Sequence, residues 1–476
     1  MSHASTNSDL DHDINEKGTS RSKAGEDGVH LTEGQEELRE APEPTFIATD
    51  DADVTADGAL GAVLEKVASS KPSVNNIKSV PNGGLTAWLQ VVGSFFLFMN
   101  TWGVVNTFGT YQTYYEAGIL ASSSPSDISW IGSLQATLLM VVGSLTGPVY
   151  DAGYVRSLVS VGTFLVVFGQ MMLSLSTTYY QVFLSQAVCI GIGTGCLFIP
   201  CVAILSTYFS TRIATAVGLA AAGSSIGGVI YPVVFYRLQP TIGFPWATRV
   251  IGFLMLATLA VSNAVLKVRV LPAGRRKFFD LSAWKEGPFT FFVLATFIGF
   301  LGLYTPFFYL QSYAIQTGIA DPDLAFYLLA ILNAASTFGR VIPNLIADRI
   351  GPFNVIIPCT LATGILCICL APTRSVAPVI VIAVLYGFFS GTFVSLPATI
   401  YVHITENRGL IGTRMGMGFS CTAIGILVGT PISGAILDAS SYTYVWIWGG
   451  IMTIVAAGIL VIARVCKGGW KIMKVV

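Results

Sequence analysis

Charge is the property that this sequence has least of. Of its 476 residues, 11% are charged and 53% are hydrophobic, whereas soluble domains carry about 25% charged residues. No Asp, Glu, Lys or Arg occurs between Arg156 and Arg212. Such a stretch cannot form a water-exposed surface, but it can face lipid. The composition argues against an ordinary soluble protein and predicts a polytopic membrane protein.

Patterns for metal, nucleotide or catalytic chemistry are also missing. The eight cysteines fall in or beside apolar segments, and Cys367 and Cys369 have no Cys or His partner at metal-ligand spacing. The stretch from Gly218 to Ser225 has glycines at phosphate-loop spacing but lacks the lysine that grips phosphate. We therefore expect no enzyme activity, no metal, no cofactor and no nucleic-acid partner.

The first 80 residues differ from the rest of the chain. They contain 16 acidic and 7 basic residues, against 10 and 19 in the remaining 396 residues. They are polar and poor in aromatic residues, so they cannot bury enough apolar surface to offset their chain entropy. The sequence predicts a disordered tail over residues 1–80, without the apolar core of a signal peptide.

Twelve apolar segments reach the length of about 20 residues that a membrane-spanning helix needs. The widest gap lies between the sixth and the seventh segment, at 271–287. It divides the chain into six-helix halves at 81–270 and 288–466, followed by a tail at 467–476. The expected fold is an all-α polytopic membrane protein with 12 transmembrane helices in two six-helix halves. The segments are approximately 87–110, 128–149, 156–176, 179–203, 213–235, 246–270, 288–312, 324–346, 353–371, 376–403, 411–437 and 442–465.

Loop charge predicts the orientation, because cytoplasmic loops are enriched in Lys and Arg. With a cytoplasmic N-terminus, 16 of the 19 Lys and Arg residues after the tail face the cytoplasm. Arg237, Arg249 and Arg374 fall outside. Both termini and the 271–287 loop are therefore expected in the cytoplasm. The plasma membrane is favoured over a vacuolar or other internal membrane.

The two halves repeat each other. Two pairs of residues are separated by 197 positions and three more by 202 positions. They are Asp151 with Asp348, Pro200 with Pro397, Arg212 with Arg414, Gly223 with Gly425, and Gly227 with Gly429. Parallel repeats of this kind are typical of transporters that rock around a central site.

Short motifs at the repeated positions resemble those of a known family. Asp348-Arg349-Ile350-Gly351 is similar to the loop signature of the major facilitator superfamily. The first copy, Asp151-Ala152-Gly153, lacks the arginine, and Arg156 could replace it. The resemblance implies alternating access between two six-helix bundles. It also implies that residues at these helix ends latch helices in one conformation: Asp151, Arg156, Asp348 and Arg349, together with Arg212 and Arg414.

Two further motifs resemble the monocarboxylate porter branch of that family. The stretch from Asn82 to Trp88 is similar to the branch's entry into the first span. Tyr208 and Phe209, followed by Arg212 and small residues up to Gly227, are similar to its fifth-span signature. This resemblance implies transport of a small organic acid.

Arg340 lies eight residues before Asp348, about 12 Å into the membrane. A charge at that depth normally faces the bundle interior, so it is a functional candidate. A structural arginine satisfied by helix-end carbonyls is the alternative. The related porters carry an Asp one turn before this Arg and a Lys in the first span, where this chain has Ser336 and Asn106.

The spans contain no clear carboxylate at mid-depth, and Glu116 and Asp127 are assigned to the first outer loop. The usual proton-coupled mechanism is therefore not expected. Either the substrate brings its own proton or transport is facilitative.

Polar and aromatic residues of the first, seventh and eighth spans are the candidate substrate contacts. Amides and hydroxyls fix orientation and aromatic faces supply area, although hydrogen bonding between helices is the alternative use of such residues. The candidates are Asn106, Tyr304, Tyr309, Asn333, Ser336 and Arg340.

The sequence thus predicts a secondary active or facilitative transporter for a small organic acid or related metabolite. An exporter of a fungal secondary metabolite and a transporter-like nutrient sensor are the alternatives. The expected partners are a small-molecule substrate and the lipid bilayer, with the monomer as the functional unit.

Overall fold

The computed structural model describes residues 82–269, 279–407 and 410–469, and all of the regular elements in these ranges are helical. The predicted tail at 1–80 lies outside the described residues. The long helices are α1 (Leu85–Ala117), α2 (Pro125–Asp151), α3 (Val155–Leu173), α4 (Tyr179–Tyr208), α5 and α6 (together Ile213–Val265), α7 (Gly287–Gln316), α8 (Pro322–Ile350), α9 (Pro352–Cys369), α10 (Val376–Ile404), α11 (Ile411–Ala439) and α12 (Tyr442–Gly468). A short 3₁₀ helix, Leu281–Lys285, precedes α7.

The 53-residue stretch Ile213–Val265 is two helices joined at a kink. Gly243 has φ 77° and ψ 166° there, a backbone conformation that glycine adopts without steric cost. The stretch therefore divides into α5 at 213–242 and α6 at 244–265, and each part exceeds the length of about 20 residues needed to span a bilayer. The predicted twelve spans are thereby confirmed.

Several helix ends follow directly from local sequence. Ser124 accepts a hydrogen bond from the Asp127 backbone at 3.1 Å, and the Asp127 side chain accepts one from the Ser124 backbone at 3.3 Å. This reciprocal cap begins α2. Asp321 caps α8 through the Leu324 backbone at 3.0 Å, and Gly351, with φ 93°, ends it.

The assignment of Glu116 and Asp127 to an outer loop was wrong. Glu116 lies in the last turn of α1, and Asp127 lies in the first turn of α2. Hydropathy cannot find such polar helix ends, because they extend past the apolar core of the bilayer while their backbone stays helical.

The two halves repeat their packing as well as their sequence. In the first half, α5 crosses α1 so closely that a methyl carbon on Gly223 would lie 2.1 Å from Phe95 O. In the second half, a methyl on Gly425 of α11 would lie 2.4 Å from Phe297 O of α7. Gly227 against Met99 O and Gly429 against Leu301 O repeat the contact one turn on, at 2.7 and 2.5 Å. Since lipid supplies no hydrophobic drive between helices, such small-residue contacts hold the bundle together.

The halves also touch at both ends of the molecule. At the end that holds Asn82 and Asp348, called the tail face below, Ser144 Oγ of α2 donates to Gly416 O of α11 at 2.9 Å. At the opposite end, called the far face, Thr113 Oγ1 of α1 and Ser312 Oγ of α7 are 3.2 Å apart. The space between the halves is thus closed at both faces.

We predict that Gly223→Ala lowers the thermal unfolding temperature of the purified protein. The added methyl must displace the α1 backbone, and overpacking of this kind costs about 1–3 kcal/mol. Gly458→Ala is the matched control, because a methyl there has no heavy atom within 4 Å. Equal unfolding temperatures for the two variants would contradict the role given to the α1–α5 contact.

Candidate functional site

Arg340 is fully buried in the middle of α8. Its Nη1 donates to Ser224 Oγ of α5 at 2.7 Å, and its Nε donates to Ser336 Oγ at 3.3 Å. Its Nη2 is buried and has no hydrogen-bond partner in the part of the chain that the structure describes. The guanidinium thus joins the two halves through α5 and α8 and keeps one donor group available for a further acceptor.

Asn106 and Tyr304 form a second link between the halves near this arginine. The Tyr304 hydroxyl of α7 donates to Asn106 Oδ1 of α1 at 3.3 Å. Asn106 Nδ2 donates weakly to Ser224 O, at 3.5 Å. Ser224 therefore meets Arg340 through its hydroxyl and Asn106 through its carbonyl, so residues from α1, α5, α7 and α8 converge here.

Asn333 joins the group from two turns away from Arg340 on α8. Its Nδ2 donates to Leu329 O at 3.1 Å, and its Oδ1 is buried without a partner among the described residues. A methyl on Gly228 of α5 would lie 2.6 Å from this Oδ1 and 3.0 Å from Asn106 Cβ. The site therefore offers an unpaired acceptor as well as an unpaired donor.

Three aromatic rings form one wall near the polar group. Trp102 of α1 stacks on Tyr304 and on Phe300 of α7, with ring centroids 6.2 and 6.4 Å apart. An apolar cleft next to these rings is lined by both halves, including Trp102, Phe198, Phe300, Val394, Pro397 and Phe419. Flat rings beside a buried guanidinium suit a ligand that has both an apolar body and an anionic or carbonyl oxygen.

Five of the six residues predicted to bind substrate are therefore brought together. Tyr309 is the exception, because its hydroxyl donates to Thr430 O of α11 at 3.0 Å. A methyl on Gly434 of α11 would lie 2.7 Å from this hydroxyl and 2.8 Å from Ser126 Cα of α2. Tyr309 thus lies at the seam between α2 and α11, toward the far face.

Asp348 lies at the tail-face end of α8 and contacts the opposite half. Its carboxylate accepts hydrogen bonds from the backbone N–H groups of Ala214 and Thr215 at 3.1 and 2.9 Å, and from the Thr215 hydroxyl at 2.5 Å. These N–H groups belong to the first turn of α5. The carboxylate therefore caps a helix N-terminus, where negative charge is favoured.

The remaining predicted gating residues lie in different surroundings. Asp151 is buried at the end of α2, whereas Arg156, Arg212 and Arg349 are exposed and form no ion pair within the described parts of the chain. Arg414 is buried, and its Nε and Nη2 bind Asp280 and Glu286 at 2.9 and 2.6 Å. These partners lie in the 271–287 loop before α7, so the ion pairs join this loop to α11 of the second half.

Asp280 shows the electrostatic consequence of this cluster. The Ser282 hydroxyl donates to its carboxylate, and Arg414 donates to its other oxygen. Together they hold the pKa of Asp280 below its ordinary value, so the ion pair persists at neutral pH.

Sequence reasoning missed Ser224, Trp102 and Phe300 as members of the site. Ser224 lies one turn before Gly227 and Gly228, so it shares the face of α5 on which these glycines pack against other helices. Trp102 follows a break in α1 at Thr101, where φ is −106° and ψ is −88°. Neither rings nor small hydroxyls stand out in an apolar chain, and their importance depends on the helices that they meet.

Comparison with known proteins agrees with this geometry. The profile described as Major Facilitator Superfamily matches residues 90–413, more than half of the chain. The MFS-type transporter dbaD of Emericella nidulans is 53% identical over 385 residues, 80% of this chain and 87% of that protein.

Two other relatives carry efflux in their descriptions. The Aspyridones efflux protein apdF of Emericella nidulans is 39% identical over 369 residues, 77% of this chain and 75% of that protein. The Agnestins efflux protein AgnL12 of Paecilomyces divaricatus is 36% identical over 438 residues, 91% and 96% of the two chains.

Among solved structures, the Escherichia coli fucose:proton symporter matches with a TM-score of 0.60. The match covers 79% of this chain and 98% of the symporter, at 17% sequence identity, and therefore supports the fold alone. With the family profile, the relatives and the twelve-helix architecture in agreement, the chain belongs to the Major Facilitator Superfamily and is a multi-pass membrane transporter.

Proposed function

We propose that this transporter exports a secondary metabolite through alternating access, with Arg340 as the residue that anchors the cargo. The observation that carries the proposal is the guanidinium buried between the halves with one donor group unpartnered. A buried charged donor left without an acceptor is costly, and a cargo oxygen would remove that cost. Alternating access would expose the same group to each side in turn.

The surroundings of Arg340 favour an oxygenated cargo with a flat apolar body. An ionised or carbonyl oxygen matches the free Nη2, and an N–H or O–H group matches Asn333 Oδ1. The rings of Trp102, Phe300 and Tyr304 offer area for an aromatic or polyene portion. Relatives described as efflux proteins for aspyridones and agnestins support export.

A small organic acid, as the monocarboxylate porter resemblance implies, is the second candidate. Arg340 favours it, because an arginine suits a carboxylate. The aromatic wall favours the larger metabolite. Ser336 and Asn106, where those porters carry charged groups, also argue for a cargo held mainly by hydrogen bonds and stacking.

We place the tail face in the cytoplasm and the far face outside, in the plasma membrane, with the monomer as the working unit. The excess of Lys and Arg in the loops of the tail face supports this orientation. All of the candidate site residues come from one chain, which supports the monomer as the working unit. Release at the far face would then be export.

In this arrangement, Asp348 latches the cytoplasmic end of the closed state. Its carboxylate is on α8 and its donors are on α5, so opening the cytoplasmic end must break all three hydrogen bonds. Asp151, Arg156, Arg212, Arg349 and Arg414 would support that end.

We predict that Arg340→Ala strongly reduces export at normal abundance in the membrane. A hydrogen bond from a charged group is worth about 1.5–3 kcal/mol, so apparent affinity should fall about tenfold or more. Arg374→Ala, which changes an exposed arginine in the loop after α9, is the control and should transport normally. Undiminished flux in Arg340→Ala would remove this residue from the site.

The cargo itself can be identified by comparing metabolites inside cells and in the medium, with and without the protein. The cells must be those that naturally make it, and Arg340→Ala serves as the inactive reference. We expect one or more compounds to rise in the medium and fall inside the cells. Depletion from the medium would indicate uptake instead, and an unchanged metabolite profile would contradict export by this protein.

For the cytoplasmic latch, we predict that Asp348→Ala opens the tail face. Losing the capping side chain costs about 1 kcal/mol, which raises the open fraction about fivefold. Labelling of Val202→Cys by a maleimide reports the change, because Val202 lines the buried cleft. The labelling rate should exceed that of the Val202→Cys protein in which Asp348 is kept. Equal labelling rates would show that Asp348 does not hold the closed state.

A further inference from the structure

Glu116 links the two halves at the far face. It lies in the last turn of α1, where Gln112 Nε2 donates to its Oε1 at 2.9 Å. Ser312 of α7 donates to its Oε2, also at 2.9 Å. Thr113 of α1 meets the same serine hydroxyl at 3.2 Å. The carboxyl group is therefore part of the contact that closes this end.

The partners of Glu116 are neutral, and the charge nearest to it is of the same sign. The charged group that acts on it is Asp438 of α11, which itself lies near Asp127 of α2. The other ionisable groups facing it are the phenols of Tyr309 on α7 and Tyr442 on α12. Within the described residues, no Lys, Arg or His pairs with Glu116. Burying a carboxylate in such a place is unfavourable unless its charge is removed.

Gln112 provides a partner for the neutral form. Its side chain is fully buried, and its Oε1 has no hydrogen-bond partner within residues 82–269, 279–407 and 410–469. Turning the amide by about 180° exchanges Oε1 with Nε2 and leaves the rest of the side chain in place. Oε1 would then take the position 2.9 Å from Glu116. A protonated Glu116 could donate to it, which would satisfy the unpaired acceptor.

We propose that Glu116 takes up one proton from the outer solution as the far face closes, and returns it when that face reopens. In the open state, water surrounds the carboxylate and stabilises its charge. Closing moves the group between α1 and α7, where the neutral acid donates to Gln112 and still accepts from Ser312. Acid outside therefore favours the closed far face. This proton uptake acts on the contact between α1 and α7 at the far face and does not depend on which cargo is transported.

The test measures the width of the far face in lipid nanodiscs by electron–electron spin distances. Labels are placed at Ser122→Cys in the loop after α1 and at Ser440→Cys in the loop after α11, both exposed. The exposed native Cys369 and Cys466 are replaced first. Spectra are compared between about pH 8 and about pH 5, a range that lies above the ordinary Glu pKa of about 4.3.

In the parent protein, the ratio of closed to open populations should rise as the pH falls, by up to about tenfold per pH unit for one linked proton. Glu116→Gln should stay mostly closed and lose this dependence. Glu116→Asp, which keeps a titratable group, should retain a pH dependence and serves if the glutamine variant does not fold.

Asp323→Asn is the matched control, because Asp323 of α8 is a carboxylate at the same face that accepts from Tyr236 of α5 but is exposed to water. It should keep the parent's pH dependence. A parent without pH dependence would overturn the proposal. So would a Glu116→Gln variant that responds to pH as the parent does.

Discussion

Arg340 can lie at the centre of a membrane bundle because glycines at the helix crossings let the backbones around it pack almost in direct contact. A methyl on Gly218 of α5 would lie 2.4 Å from Arg340 O, and one on Gly391 of α10 would lie 2.7 Å from Ser336 O. These contacts bring Ser224 within 2.7 Å of the guanidinium and exclude lipid from it. A charge in the membrane needs polar partners at this range, so the site depends on glycine at these crossings.

The need for glycine at close helix crossings also explains why the two halves share their backbone packing, and why the similarity ends there. The glycines that press α5 onto α1 and α11 onto α7 repeat with the same spacing, so backbone packing is copied between the halves. The charged contacts at the helix ends do not repeat between the two halves. Arg414 binds Glu286, whereas the equivalent Arg212 is exposed, and Asn82 instead accepts from the Ser210 and Thr211 backbones at 2.7 and 3.0 Å. Close packing needs the repeat, while the polar contacts at the helix ends can diverge.

The closed interior gives the two faces different chemistry. At the tail face, the Asp348 carboxylate accepts hydrogen bonds from backbone N–H groups at the N-terminus of α5. At the far face, Glu116 meets neutral side chains and lies near another acid. In our proposals, a carboxyl group thus serves closure at both ends, through backbone hydrogen bonds at the tail face and through proton uptake at the far face.

Sequence alone determined the class of protein, the twelve spans, the six-plus-six repeat and Arg340 as the central candidate. These follow from local apolar runs, from the spacing of repeated residues and from the cost of a charge in lipid. All three can be recognised in the linear sequence. Only tertiary structure placed Ser224 and Trp102 at the site, moved Tyr309 to the seam between α2 and α11, and joined Glu116 to α7. The physical reason is that such contacts depend on how each helix is rotated against neighbours more than a hundred residues away, and local hydropathy does not encode that rotation.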